Sequence, residues 1–496
     1  MSNPKAYDEF LEYAKSLRAL SEIAANLSWD QEVMMPPAGG TARAEQMAVL
    51  AAVAHEKQTD PAYGDQLSEL IDMPLDLLAK RNVELAKRDH DRATKVPARL
   101  ASEIARITSH ANTVWAQARS DDDFSAFAPT LETIIALKRE EADCIRVDDQ
   151  SRYAALLNDF EPGMRLDVLQ PLLEGLRPRL AALREAIAGS AHRPSSLSGD
   201  FDTQAQMTLA REIADVLNYD WNAGRLDLSV HPFSTGMSGD VRITTRLDPA
   251  NPLDCLYSTI HEIGHALYEQ GISSQEAFMP VGHHVSMGVH ESQSRLWENQ
   301  IGRSQAFCSW LQTHFASAFP DSGLKDPTAL YRIVNRVETG FIRTEADEVH
   351  YNLHILLRFE LERELIAGEL DVGDLEAEWN RRFERDFGIA VPKASQGVLQ
   401  DIHWSAGLFG YFPTYALGNI YAAQLMDAMI GEIGPIDDDI ANGRTKAVLD
   451  WLRSNIHEKG SRMAPDALIE SCVGAPVSSE PLLNYLEQKF AALYEL

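Results

Sequence analysis

Residues 261–271 read HEIGHALYEQG, two histidines four positions apart with a glutamate directly after the first. The surrounding stretch has the ends of a helix. Asn251 stands where a capping residue belongs, Pro252 suits the first helical position, and Gly271 suits a left-handed terminating residue. Leu253, Leu256, Ile260, Ile263, Gly264 and Leu267 recur at helical spacing and predict one apolar side. On such a helix His261 and His265 stack about 6 Å apart on one face, close enough for two imidazole nitrogens to reach one Zn²⁺ at ~2.0 Å. Glu262 is rotated by about 100° from His261. It is poorly placed as a third ligand but suited to a general base beside a metal-bound water.

Two histidines need a third ligand. Glu269 lies eight residues after His261, about 12 Å along the helix, too far for one tetrahedral ion to gather all three. The ligand must come from another element, and MGVHESQSRLWENQIG, residues 287–302, supplies candidates on a second helix predicted to end at Gly302. Glu291 follows His261 by 30 residues, room for a helix, a loop and an antiparallel return. Glu298 is the runner-up, and His283, His284 and His290 are nearby. Two histidines and one glutamate leave a fourth position for water, as a catalytic rather than a structural zinc requires. The same N₂O set also binds Co²⁺ or Mn²⁺.

Working outward, the residues just before this helix differ from the rest of the chain. In RLDLSVHPFSTGMSGDVRITTRLDP, Leu226, Leu228 and Val230 alternate with polar residues, as do Val241 and Ile243. The pattern predicts a β-hairpin of strands 226–231 and 241–246 joined by a Gly/Ser-rich loop, with His231 pinning the loop. Elsewhere the periodicity is helical. Tyr7, Phe10, Leu11, Ala14 and Leu17 repeat at three- and four-residue steps until Pro36 and Pro37. Residues 329–366 read as helix throughout, as do PLDLLAKRNVELAKRDHD and LLNYLEQKFAALYEL.

The chain has 496 residues, yet no Pro/Gly/Ser-rich linker or fixed-period repeat divides it, so one large two-lobed domain spanning 1–496 is expected. A net charge of −29 argues against nucleic acid or an anionic membrane surface as partner. The N-terminal stretch is charged throughout, and no later run approaches a membrane span, which predicts a cytoplasmic protein. Four widely spaced cysteines, without a CxxC pair, are expected to be reduced and structural.

Seven short strings complete the pattern: SWDQEVMMPP (28–37), HPF (231–233), DVRIT (240–244), HEIGH (261–265), HESQSR (290–295), IRTEAD (342–347) and GVLQDIHW (397–404). Their order resembles that of the carboxypeptidase Taq family of metallocarboxypeptidases. The resemblance implies a mainly α fold with a deep active-site cleft, a homodimer, and zinc-dependent release of single C-terminal residues from peptides with a free C-terminus. An oligopeptidase or endopeptidase of the same zinc chemistry would share every metal residue. A helical scaffold with a structural metal would leave Glu262 without a purpose.

A free α-carboxylate is best held by an arginine fork. Arg343 in IRTEAD is the first choice for this clamp and Arg242 in DVRIT the second, with Asp347 and Asp240 as their local ion-pair partners if either is merely structural. The β strands could also pair with an extended substrate. By resemblance to related helical peptidases, His403 and Tyr415 are expected to donate hydrogen bonds to the oxyanion, with Tyr411 as the alternative. The expected roles are then His261, His265 and Glu291 as metal ligands, Glu262 as base, and Arg343 as the group that sets the register.

Overall fold

A computed structural model describes residues 4–496; the first three positions of the 1–496 span lie outside it. The chain is mainly helical with one small sheet. The predicted N-terminal helix runs Lys5–Val33 and buries Tyr7, Phe10 and Ala14 before Pro36 and Pro37. With helices Pro61–Ile71 and Leu77–Lys95 it encloses a small apolar core of its own. A second, much larger core takes up most of the buried apolar residues from Val96 onward. The two are tied by polar contacts: Arg81 Nε donates to Ser461 O at 2.9 Å, and Val281 N donates to Asn82 Oδ1 at 3.0 Å. No helix among the described residues is long and apolar enough to cross a membrane.

The sheet corrects the hairpin expected from the alternation. It has three strands, β1 (Gly224–Leu228), β2 (Ser234–Met237) and β3 (Asp240–Thr245), in the order β1-β3-β2. The two apolar runs, β1 and β3, pair in parallel, and the hairpin is instead β2 with β3. The Gly/Ser-rich stretch is thus itself a strand, turning at Gly239, whose φ of +99° suits glycine. The alternation misled because Leu228 and Val230 face outward, 47% and 73% exposed, whereas Leu226, Val241 and Ile243 are buried. His231 lies exposed after β1.

The helix carrying the two histidines spans Pro252–Gly271, with Pro252 in its first turn and Asn251 at the cap position without a side-chain cap bond. Thr245, at the end of β3, donates to Cys255 O at 3.1 Å and so fixes the helix against the sheet. Gly271 is not a left-handed terminator. It stays within the helix, and a Cβ there would fall 2.6 Å from His457 Cβ, so the glycine answers a close approach. Gly264 does the same where it matters most: a Cβ would meet Ser294 Cα at 2.5 Å, so only glycine lets the second helix of the site lie this close. That helix, Met287–Arg295, is capped by Ser286 accepting from Val289 N at 3.1 Å. It continues as a π-helical turn, Leu296–Ile301, before Gly302.

The long helical reading of 329–366 is also corrected. Helices Pro327–Val334 and Glu348–Ala367 are separated by irregular chain and a short turn, Arg343–Glu345. Asp347 starts the second helix by accepting from Val349 N and His350 N, a cap signal that overrides periodicity.

Candidate active site

The Pro252–Gly271 and Met287–Arg295 helices bring three donor atoms together. His261 Nε2 and His265 Nε2 are 3.2 Å apart, and Glu291 Oε2 lies 3.8 Å from the first and 3.4 Å from the second. A tetrahedral ion with bonds of ~2.05 Å spaces its ligand atoms by about 3.3 Å, so the residues fit a single divalent cation. The outer atoms of this cluster are held as well. Glu298 Oε2 lies 2.8 Å from His261 Nδ1, Arg295 Nε donates to Glu291 Oε1 at 2.7 Å, and Arg295 Nη1 reaches Glu298 Oε2 at 3.3 Å. One carboxylate oxygen of Glu291 is thus spent on Arg295 and the other faces the imidazoles. Glu298, the runner-up ligand, stands on the far side of the His261 ring.

The charge states follow from these contacts. Burial works against ionisation of Glu291, but Arg295 and His261 outweigh it and hold the carboxyl well below its usual range. Burial pushes the His265 imidazole down to about 3, so the ring is neutral, as a metal ligand must be. Glu262 is also buried, and burial, reinforced by the negative charges of Glu291 and Glu298 against the opposing His261, pushes it up to about 7.

A second group joins this one through Tyr351. The Arg295 guanidinium sits 4.3 Å over the Tyr351 ring, and Arg343 Nη1 donates to the Tyr351 hydroxyl at 3.0 Å. The Arg343 guanidinium carbon lies 4.8 Å from the Tyr415 ring centre, and the Tyr415 hydroxyl is 3.1 Å from His403 Nε2. Tyr411 flanks Tyr415, ring centres 5.3 Å apart, and precedes rather than joins the helix Pro413–Ile433. Arg343, His403, Tyr415 and Tyr411 therefore form one cluster connected to the histidine cluster. Arg242 does not join it. It pairs with Asp240 at 2.7 Å and stacks on Trp29 at 4.3 Å.

Arg343 has an ion-pair partner, but not the neighbour Asp347 expected from the sequence. Its Nε and Nη2 donate to Asp401 Oδ1 at 3.0 and 2.9 Å, while Asp347 is occupied with its helix cap and His350. Arg358 Nε donates to the other oxygen of Asp401 at 2.7 Å. Two guanidinium groups sharing one carboxylate carry a net positive charge, which a substrate carboxylate would complement. Arg295, Tyr351, Arg358 and Asp401 were not singled out from the sequence. The four-residue spacing of Glu291 and Arg295 is a helical ion-pair signal that could have found one of them.

The profile of the carboxypeptidase Taq (M32) metallopeptidases matches residues 9–490. Thermostable carboxypeptidase 1 of Thermus thermophilus is 42% identical over 509 aligned residues, with 100% of both chains covered. Carboxypeptidase 1 of Bacillus subtilis is 35% identical over 98% of each chain. The crystal structure of an M32 carboxypeptidase from Deinococcus radiodurans R1 matches with a TM-score of 0.96 and 35% identity, covering 99% of this chain and 100% of that one.

Proposed function

The chain belongs to the carboxypeptidase Taq (M32) family and is a metallocarboxypeptidase, a peptide hydrolase; from that premise we propose that His261, His265 and Glu291 hold its divalent metal, with Zn²⁺ first and Co²⁺ or Mn²⁺ as alternatives. The observation that carries this assignment is the convergence of their three donor atoms at 3.2 to 3.8 Å. A cation bound there supplies Lewis acidity, acidifying a water and polarising the scissile carbonyl.

Glu262 takes up the water's proton and delivers it to the departing amine. Its burial raises the carboxyl above the usual range, the direction that favours holding a proton between its uptake and its delivery. His403 and Tyr415 donate hydrogen bonds to the carbonyl oxygen as it gains charge. Burial brings His403 down to about 4, so the imidazole acts as a neutral donor and does not compete with the metal's charge. Arg343 holds the substrate's α-carboxylate, drawing on the net positive charge it shares with Arg358 and Asp401, and Arg242 is the second choice. This clamp confines hydrolysis to the terminal bond. The family resemblance further supports a homodimer acting on peptides with a free C-terminus.

The test is a matched pair of short peptides, one ending in the free acid and one in the amide. The free acid should be strongly preferred in kcat/KM. Equal turnover, or internal cleavage of the amide, would instead favour an oligopeptidase reading of the same site.

A further inference from the structure

One cluster of ligating side chains lies outside this machinery. Glu269, one helical turn beyond His265, is buried, and its Oε1 lies 3.0 Å from His284 Nδ1 and 3.1 Å from His290 Nε2. The three ligand atoms all fall within 4.8 Å of one another. His284 comes from the loop before the Met287–Arg295 helix and His290 from the helix itself, so three separate segments converge here. His283, the other half of the histidine doublet, turns away and meets Arg18, with Nη1 3.0 Å from Nε2.

We propose that Glu269, His284 and His290 form a second site for a divalent transition cation, adjacent to but distinct from the His261, His265 and Glu291 cluster. The donor set is again two imidazoles and one carboxylate, the composition that suits zinc and cobalt. The two oxygen-to-nitrogen distances are already close to the ~3.3 Å edge of a tetrahedral site, so a cation would replace hydrogen bonds with little movement. The His284 side chain is 34% exposed, so the cluster is reached from solvent. The ion binds more weakly than the first, since His284 is contributed by a partly exposed loop rather than by a helix. The sites also touch: the His290 ring stacks on the His265 ring with centres 4.5 Å apart. A cation held by His290 therefore perturbs the first site through that stack.

Enzyme carrying one Co²⁺ per chain is titrated with further Co²⁺, following stoichiometry by equilibrium dialysis and the visible absorption of the bound ion. Wild type should take up a second ion per chain, with a change in the spectrum of the first. Glu269→Gln and His284→Ala should each keep the first ion and bind the second more than about 100-fold more weakly, beyond the effect of losing an outer-shell partner. His284→Ala alters a partly exposed loop residue and stays informative if the buried Glu269 variant does not fold. A wild type that saturates at one ion per chain into the millimolar range would overturn the proposal, as would a second ion that persists unweakened in His284→Ala.

Discussion

Glu298 Oε2 approaches His261 Nδ1 at 2.8 Å, on the opposite edge of the ring from the Nε2 that faces Glu291 at 3.8 Å. The two glutamates of the second helix therefore act on one histidine from opposite sides, one toward the proposed metal position and one away from it. With a cation at the proposed position, Glu298 would select the tautomer that leaves Nε2 free to ligate.

This geometry ranks their mutations. Glu291→Ala should abolish stoichiometric metal binding, while Glu298→Ala should weaken it by about 10- to 100-fold, the range for an outer-shell partner. Equilibrium dialysis against a competing chelator reads both. The reverse ranking would move the ligand role to Glu298.

Arg343→Ala should lower kcat/KM for a free-acid peptide by about 100-fold or more, through loss of a charge-assisted fork, with metal content unchanged. The loss for the amidated peptide should be much smaller, so the preference for the free acid nearly disappears. Asp401 retains Arg358 in this variant, which limits the structural cost. If the preference survives, Arg242 becomes the clamp despite its pairing with Asp240 and Trp29.

The segment bearing His403 is held by a buried carboxyl with a distinct pH signature. Glu362 accepts from Tyr153 at 2.8 Å, Trp404 Nε1 at 3.0 Å and Gly410 N at 3.1 Å, and burial, against those hydrogen bonds, pushes it up to about 7. Because the folded pKa lies above the unfolded value of about 4.3, its contribution is fully present below pH ~4.3 and is lost as pH rises through about 7. Glu362→Gln removes that titration. The stability of wild type relative to this variant should accordingly fall by about 2–3 kcal/mol between pH 5 and pH 8 in chemical denaturation. A difference that stays constant with pH would contradict the shift.

The helical class and the motif helix were legible because apolar spacing and proline placement act within a few residues. The approach of Glu291 to the two histidines was narrower but still accessible, since it is the first acidic residue on the next helix. What local patterns could not reveal came from tertiary pairing. Val230 continues the alternation of β1 although the strand has ended at Leu228, and only the parallel partner β3 decides where it stops. Residues 335–347 keep an apolar rhythm that the cap at Asp347 interrupts. Asp401 meets Arg343 across 58 positions and Tyr351 links two arginines from separate segments, relationships for which sequence spacing carries no signal. Gly264 fits the apolar side and Gly271 reads as a terminator, yet the reason for both is the close approach of Ser294 and His457.

The central claim is that Glu262 moves protons without holding the metal. The most direct test measures zinc content and peptide turnover together in Glu262→Gln. The account predicts close to one zinc per chain, as in wild type, with kcat lower by a factor of about 100 or more. Loss of the zinc along with activity would contradict it, and so would near wild-type turnover with the metal in place.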